Sequence, residues 1–141
     1  MSDNVQTVQE IYAAFGRGDI PAILERLADD VRWEHCPDGS GAQRHGVPWL
    51  AERTGRDAVG GFFEALGALD IHAFAPRSFL AGADEVAAVI DIDLTVRATG
   101  ERLRDVEVHL WSFGAHGEIT EFRHVVDTVK HVEAATARAL A

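Results

Sequence analysis

The chain has 141 residues, of which 47% are hydrophobic, and a formal net charge of −10. We therefore expect one domain, residues 1–141, that removes roughly two-thirds of its surface from water. The acidic balance argues against nucleic acid as a partner, because phosphates require a basic surface.

Two further properties bear on where the protein works. No apolar run approaches the ~20 residues that a membrane helix needs, and the first residues lack the pattern of a signal peptide. The single cysteine, Cys36, cannot form an internal disulfide. These features predict a cytoplasmic protein that does not insert into a membrane.

The first half of the chain predicts three helices. Apolar side chains recur at helical spacing from Asn4 to Phe15, and Gly16 to Asp19 end that helix. Asp19 can cap a second helix that has Pro21 in its first turn. The third helix is predicted over 57–69, with Phe62 on its inner face.

A short strand and a long loop lie between the second and third predicted helices. Val31, Trp33 and His35 alternate with polar residues, as expected for a strand with one buried face. The segment 36–54 is rich in Gly, Pro and polar residues. Loops of this length are often lids or binding loops.

The second half of the chain predicts an antiparallel sheet. Alternating apolar residues and turn sequences indicate strands over 71–80, 85–98, 102–113 and 118–128, and an Ala-rich helix or tail follows Val129. Helices followed by strands indicate an α+β fold. We expect a curved antiparallel sheet wrapped by the three helices, forming a cone whose open end is a pocket.

Two histidines are the leading candidate site residues. His35 and His109 each lie on a predicted strand, and alternation places His109 on the same face as Trp111. An unperturbed imidazole titrates at about 6.5, so two of them can exchange a proton near neutral pH. We expect both to face one cavity, walled also by Trp33 and Trp111.

Several sequence segments resemble the nuclear transport factor 2-like superfamily. They are Tyr12-Ala-Ala-Phe15 with Gly18-Asp19, Leu27-Ala-Asp-Asp-Val-Arg-Trp33, Gly55-Arg-Asp-Ala-Val59 with Phe62-Phe63, His109-Leu-Trp-Ser-Phe113, Gly117-Glu-Ile119, and Phe122-Arg123 followed by Asp127. The chain is most similar to the SnoaL-like and ketosteroid-isomerase-like members. The resemblance implies the cone-shaped fold and, commonly, a homodimer formed through the convex sheet face.

The resemblance also implies positions for site residues. His109 falls where the steroid isomerases place a buried acid, and His35 falls where they place a carboxylate base. Their oxyanion-hole tyrosine falls on Ile11, one residue before Tyr12. In the polyketide cyclases an aspartate follows the histidine by fourteen residues, whereas Arg123 follows His109 here. An inward Arg123 is similar to the arginine of the family's epoxide hydrolases.

The predicted site therefore has two groups of residues. The catalytic candidates are His35, His109 and Arg123. Arg123 would bind an acidic group or enolate oxygen of the substrate, or else pair with a neighbouring carboxylate. The substrate-binding candidates are Tyr12, Trp33, Trp49, Phe62, Trp111 and Asp127.

No motif in the sequence indicates a cofactor. His45, His72, His116, His124 and His131 show no metal-ligand spacing, and no phosphate-binding glycine motif is present. We expect cofactor-independent acid/base chemistry, of isomerase or cyclase type, on a hydrophobic oxygenated substrate. The alternatives are a non-catalytic binding protein for a hydrophobic small molecule and a protein-interaction module of the same fold.

Overall fold

The computed structural model describes residues 3–36, 41, 44 and 46–137. In this part of the chain the helices are α1 (Asp3–Gly16), α2 (Ile20–Leu24), α3 (Arg56–Leu66) and α4 (Thr128–Thr136). The strands are β1 (Leu27–Trp33), β2 (Arg53–Thr54), β3 (Leu69–Ala81), β4 (Glu85–Val96), β5 (Glu101–Phe113) and β6 (Ile119–Val125). A short 3-10 turn covers Pro48–Leu50.

The described strands form one curved, unclosed sheet in the order β2-β1-β6-β5-β4-β3. The predicted antiparallel pairs β4–β5 and β5–β6 are both present. Gly100 and Gly117 make the turns that join them, with φ of 75° and 79°, a backbone conformation that favours glycine. The α+β fold is confirmed.

The sheet differs from the prediction in one pairing. β1 lies parallel to β6, with Arg32 opposite Glu121 and Trp33 opposite Phe122. The sheet is therefore mixed, and its fully antiparallel part is β6-β5-β4-β3 together with the short β1–β2 pair. The parallel pairing places the end of β1 beside the middle of β6.

Two aspartates cap helices that border the cavity. The Asp19 carboxylate accepts a hydrogen bond from the Ala22 backbone N–H at the start of α2, as predicted. Asp127 does the same for Lys130 at the start of α4. The last strand therefore ends at Val125, short of the predicted limit at residue 128, because Asp127 starts a helix there.

The core lies between the concave sheet face and the helices. Apolar residues of β4 alternate between buried and less buried positions, and Val86, Ala88 and Ile90 are fully buried. This alternation explains why the sheet could be predicted from the sequence. In the described part of the chain, no helix has the length and apolar character required to cross a membrane.

Candidate functional site

An apolar cavity lies between the helices and the concave face of the sheet. Its volume is about 660 Å³ when the solvent at its opening is included. The lining residues are Ile11, Tyr12, Phe15, Ile23, Trp33, Trp49, Phe62, Phe63, Leu66, Leu69, Ile71, Phe74, Ile92, Leu94, Glu107, His109, Trp111, Phe122, His124 and His131. Most are apolar or aromatic, and four carry a carboxylate or imidazole group on β5, β6 or α4.

Tyr12 of α1 connects to two residues of β5. Its hydroxyl lies 2.9 Å from Nδ1 of His109, and it accepts a hydrogen bond of 3.1 Å from Nε1 of Trp111. A tyrosine oxygen can accept two hydrogen bonds or accept one and donate one. The Tyr12–His109 bond fixes the imidazole plane and leaves Nε2 as the free nitrogen of His109.

His124 of β6 lies directly across the strand pair from His109. The two rings are 4.6 Å apart between centroids and nearly perpendicular, at 83°. Nδ1 of His124 lies 2.6 Å from Oε1 of Glu34, which also accepts the backbone N–H of His124 at 2.9 Å. His124 is therefore held through Nδ1, and its Nε2 is the nitrogen left for other contacts.

Glu34 belongs to a buried ion pair behind His124. Arg44 donates from Nη1 to Oε2 of Glu34 and from Nη2 to the backbone oxygen of His124. The side chains of Glu34 and Arg44 are 0% and 5% exposed. Because every charge in this group has a partner, the burial of Glu34 can be sustained.

Glu107 is the second buried carboxylate of the site. Its Oε1 lies 3.6 Å from Nε2 of His109, and its Oε2 lies 2.9 Å from Nε2 of His131 on α4. Nδ1 of His131 accepts a hydrogen bond of 3.0 Å from Nε1 of Trp49. Trp49 and α4 thus hold His131 against Glu107.

Three buried nitrogen atoms of the lining have no hydrogen-bond partner among the described residues: Nε1 of Trp33, Nε2 of His109 and Nε2 of His131. Nε2 of His131 nevertheless lies within ion-pair distance of Oε2 of Glu107, at 2.9 Å. A buried donor without a partner costs about 1–3 kcal/mol. A ligand with acceptor oxygens would satisfy the Trp33 and His109 nitrogen atoms.

The buried environment separates the pKa values of the two facing histidines. Burial lowers the pKa of His109 to about 4, although Glu107 opposes the shift. Burial also disfavours the charged form of His124, but the carboxylate of Glu34 outweighs it and raises the pKa of His124. At neutral pH His109 is therefore uncharged, whereas the Glu34 carboxylate favours the charged form of His124.

The other two polar groups keep their usual charge states. Burial would raise the pKa of Glu107, but contacts with His109, His131 and His124 outweigh it and hold that pKa below its usual range. Burial raises the pKa of Tyr12, so its hydroxyl stays protonated. The polar end of the cavity thus presents the Glu107 carboxylate beside the neutral imidazole of His109.

Most of the sequence candidates lie in this cavity. His109 lies at its polar end, and five of the six substrate-binding candidates line it: Tyr12, Trp33, Trp49, Phe62 and Trp111. Trp49, which lies in the segment predicted as a long loop, lines the cavity and is only 5% exposed.

His35 does not line the cavity with His109, so the predicted shared cavity is wrong. Its Nδ1 lies 2.9 Å from Oε1 of Glu52, and its side chain is 29% exposed. The physical reason is Glu34, whose φ of 61° is a left-handed conformation that ends β1 at Trp33. Strand alternation therefore does not extend to His35, and Glu34 is the buried residue.

Arg123 and Asp127 do not line the cavity either. Phe122 and His124 point inward on β6, so Arg123 lies on the other face, opposite Leu110 of β5. A register shift between Ser112 and Phe113 changes the count along the hairpin and makes His124, not Arg123, the cross-strand neighbour of His109. Asp127 is exposed and caps α4.

Four site residues were missed by the sequence analysis: Glu34, Glu107, His124 and His131. Glu107 shares the face of His109 by alternation, which was a usable signal. The sequence alone did not reveal the other three residues. His124 faces the cavity because of the register shift, Glu34 is buried because of its left-handed backbone conformation, and His131 reaches the cavity because of the position of α4. His45, named among the histidines without ligand spacing, lies outside the described residues.

Comparison with known proteins identifies the family. The SnoaL-like domain model matches residues 8–122 of this chain. The protein belongs to the SnoaL-like family. None of the curated proteins matches the sequence.

Three solved structures illustrate the relationship of this SnoaL-like protein to the wider fold. An NTF2-like protein of unknown function from Burkholderia pseudomallei is 32% identical, with a TM-score of 0.78 and coverage of 97% of this chain and 100% of the other. TerC, co-crystallised with polyporic acid, is 26% identical, with a TM-score of 0.73 and coverage of 96% and 100%. A SnoaL-like polyketide cyclase homologue from Mesorhizobium loti is 23% identical, with a TM-score of 0.65 and coverage of 88% and 98%, and it shows the shared fold.

Proposed function

We propose that this SnoaL-like protein is an enzyme that binds a hydrophobic, oxygenated small molecule in the cavity and moves a proton beside one of its carbonyl groups. Isomerisation and cyclisation are reactions of this class. The observation that carries the proposal is the grouping of Glu107, His109 and His124 in a cavity whose lining is mostly apolar. Polar groups concentrated at one end orient a ligand and place its oxygen there.

Each of the three residues has a role in this proposal. With the Tyr12 hydroxyl donating to Nδ1, Nε2 of His109 carries a proton and donates it in a hydrogen bond to the carbonyl oxygen. His124 supplies a second donor beside it. Glu107, whose Oε1 is 3.6 Å from Nε2 of His109, accepts the proton from the carbon next to the carbonyl.

The proton balance of the reaction is internal. Glu107 takes a proton from carbon, and the electron pair moves to the carbonyl oxygen to give an enolate held by His109 and His124. The proton then returns from Glu107 to a different carbon of the same molecule in an isomerisation. No redox cofactor is required for such a transfer, and we propose that the enzyme works without one.

The cavity lining favours a flat, ring-containing substrate. Trp33 stacks on Phe122 with ring centroids 4.2 Å apart, and Trp111 packs against both. Polyporic acid, co-crystallised with TerC, makes ring-bearing quinones a reasonable starting point for substrate searches.

We also propose that the protein works in the cytoplasm and does not bind nucleic acid.

A non-catalytic binding protein is the second candidate. The unpartnered donors on Trp33 and His109 favour ligand binding whether or not a reaction follows. Binding is measurable because all three tryptophans of the chain, Trp33, Trp49 and Trp111, line the cavity. Saturable fluorescence quenching without turnover would support this second candidate.

The test of the enzyme proposal is turnover of a panel of ring-containing ketones, enones and quinones. We expect His109→Gln and Glu107→Gln each to lower kcat/KM by about 10²–10⁴-fold, the usual contribution of a positioned acid or base. His35→Gln is the matched control, because His35 lies outside the cavity, and it should retain wild-type kcat/KM. Full activity in both cavity variants, or equal losses in all three, would refute the proposal.

A further inference from the structure

We propose that Glu107, His109 and His124 form a binding site for a divalent transition-metal ion, with Zn²⁺ as the best-fitting ion. One ligand atom from each residue, a carboxylate oxygen or an imidazole nitrogen, lies within 4.8 Å of the other two. All three side chains are buried. Two histidines and one glutamate are also the ligand set of catalytic zinc sites that keep an open position.

The available nitrogen atoms are the ones that a metal ion needs. Nε2 of His109 is buried and has no hydrogen-bond partner among the described residues. Nδ1 of His124 is occupied by Glu34, so only Nε2 can coordinate. Oε1 of Glu107 lies 3.6 Å from Nε2 of His109, close to the spacing of two ligands that are each ~2.1 Å from zinc.

Each proposed ligand is supported by a second residue. Nδ1 of His124 lies 2.6 Å from the Glu34 carboxylate, the arrangement in which a carboxylate orients a metal-binding imidazole. Nδ1 of His109 can donate a hydrogen bond to the Tyr12 oxygen, since that oxygen can accept this bond as well as the one from Trp111. Oε2 of Glu107 is held 2.9 Å from His131.

A second, overlapping group is a weaker candidate. Asp105, Glu107 and His131 also bring ligand atoms within 4.8 Å of one another. However, Nδ1 of His131 accepts the Trp49 N–H, which leaves the proton on Nε2 and removes the lone pair that a metal requires. His131 therefore supports Glu107 rather than binding the ion.

The metal site goes beyond the proposed function and does not depend on it. An ion bound to Nε2 of both histidines replaces the protons that the proposed reaction uses there. If the proton-transfer proposal is correct, saturating Zn²⁺ should therefore inhibit turnover, and a chelator should restore it. Metal binding itself is measured without any substrate, so the two proposals can fail separately.

The test is Zn²⁺ and Co²⁺ binding to the full chain without an affinity tag, by calorimetry and by the visible absorption bands of Co²⁺. We expect one ion per chain. The affinity for the ion should fall more than 100-fold in His124→Ala and in Glu107→Gln, which each remove a ligand. It should fall about 10-fold in Tyr12→Phe, the scale of a lost supporting hydrogen bond. Asp105→Asn should bind like wild type, because it disrupts only the second group. His72→Ala and His116→Ala, which remove exposed histidines that do not line the cavity, should also bind like wild type.

Crystals of the wild-type protein soaked in Zn²⁺ keep the test decisive even if a ligand variant fails to fold. An anomalous scattering peak between Glu107, His109 and His124 would support the proposal. No stoichiometric binding, a peak beside Asp105 and His131, or binding lost only with the surface histidines would overturn it.

Discussion

The hydroxyl of Tyr12 on α1 lies 2.9 Å from Nδ1 of His109 on β5, joining residues 97 positions apart in the chain. The same oxygen accepts the Trp111 N–H. One phenol thus ties the first helix to the central strand that carries the proposed site. This contact explains how the imidazole of His109 is oriented.

Tyr12→Phe tests that contact. The variant keeps the ring but leaves the Trp111 N–H without its acceptor, so we expect the free energy of unfolding to fall by about 1–3 kcal/mol. Urea unfolding followed by circular dichroism measures the change. Thr7→Ala is the control, because the Thr7 hydroxyl bonds to Asp3 on the exposed side of the same helix and its loss should cost less than about 0.5 kcal/mol. Equal stabilities of Tyr12→Phe and wild type would contradict the role of the phenol.

The buried Glu34–Arg44 pair predicts a large stability effect. Glu34→Gln leaves the Arg44 charge buried without its partner, so we expect a loss of about 3–5 kcal/mol. Glu121→Gln is the matched control, since Glu121 pairs with a half-exposed Arg32 and such pairs contribute about 0–1 kcal/mol. Similar unfolding midpoints for the two variants would show that the buried pair does not stabilise the fold.

His35 has a different expected behaviour from the cavity histidines. It pairs with Glu52 at a partly exposed position, so His35→Ala should change the free energy of unfolding by less than about 1 kcal/mol. It should also leave ligand-dependent quenching of tryptophan fluorescence unchanged. A weakened quenching response would mean that His35 takes part in ligand binding although it does not line the cavity.

The homodimer expected from the family resemblance stays a prediction. Val106 and Val125 are 50% and 48% exposed, and they lie on the sheet face that points away from the cavity. A second copy covering this face would remove them from water. Sedimentation at micromolar concentration should give about twice the 15.3 kDa chain mass, and Val106→Glu should shift it toward the monomer. A wild-type monomer at that concentration would rule the dimer out.

The general fold could be predicted because its signals are local. Alternation along β4 and β5, the glycine turns and the Asp19 cap each depend on a few neighbouring residues. The end of the last strand at Val125 was missed because the strand pattern of the sequence continues past Val125, whereas Asp127 caps the helix that follows.

The site was only partly predictable because its key relationships are not local. Strand alternation alone predicts that His35 is the next inward residue after Trp33. The left-handed backbone conformation of Glu34 breaks this alternation, and Glu34 is buried instead. Because of the register shift after Ser112, His124 and not Arg123 lies opposite His109. Tyr12, Trp33, Phe62 and Trp111 were found because inward aromatic residues follow the regular periodicity of helices and strands. Trp49 was found although it lies in the segment predicted as a long loop.

The most direct test of the proposed site is a crystal structure of the protein with a bound ring-containing quinone, polyporic acid being the first probe. We predict that the molecule occupies the cavity with a ring against Trp33 or Phe122 and a carbonyl oxygen within hydrogen-bond distance of Nε2 of His109. A quinone bound outside the cavity, or one whose oxygens face away from His109, Glu107 and His124, would contradict it.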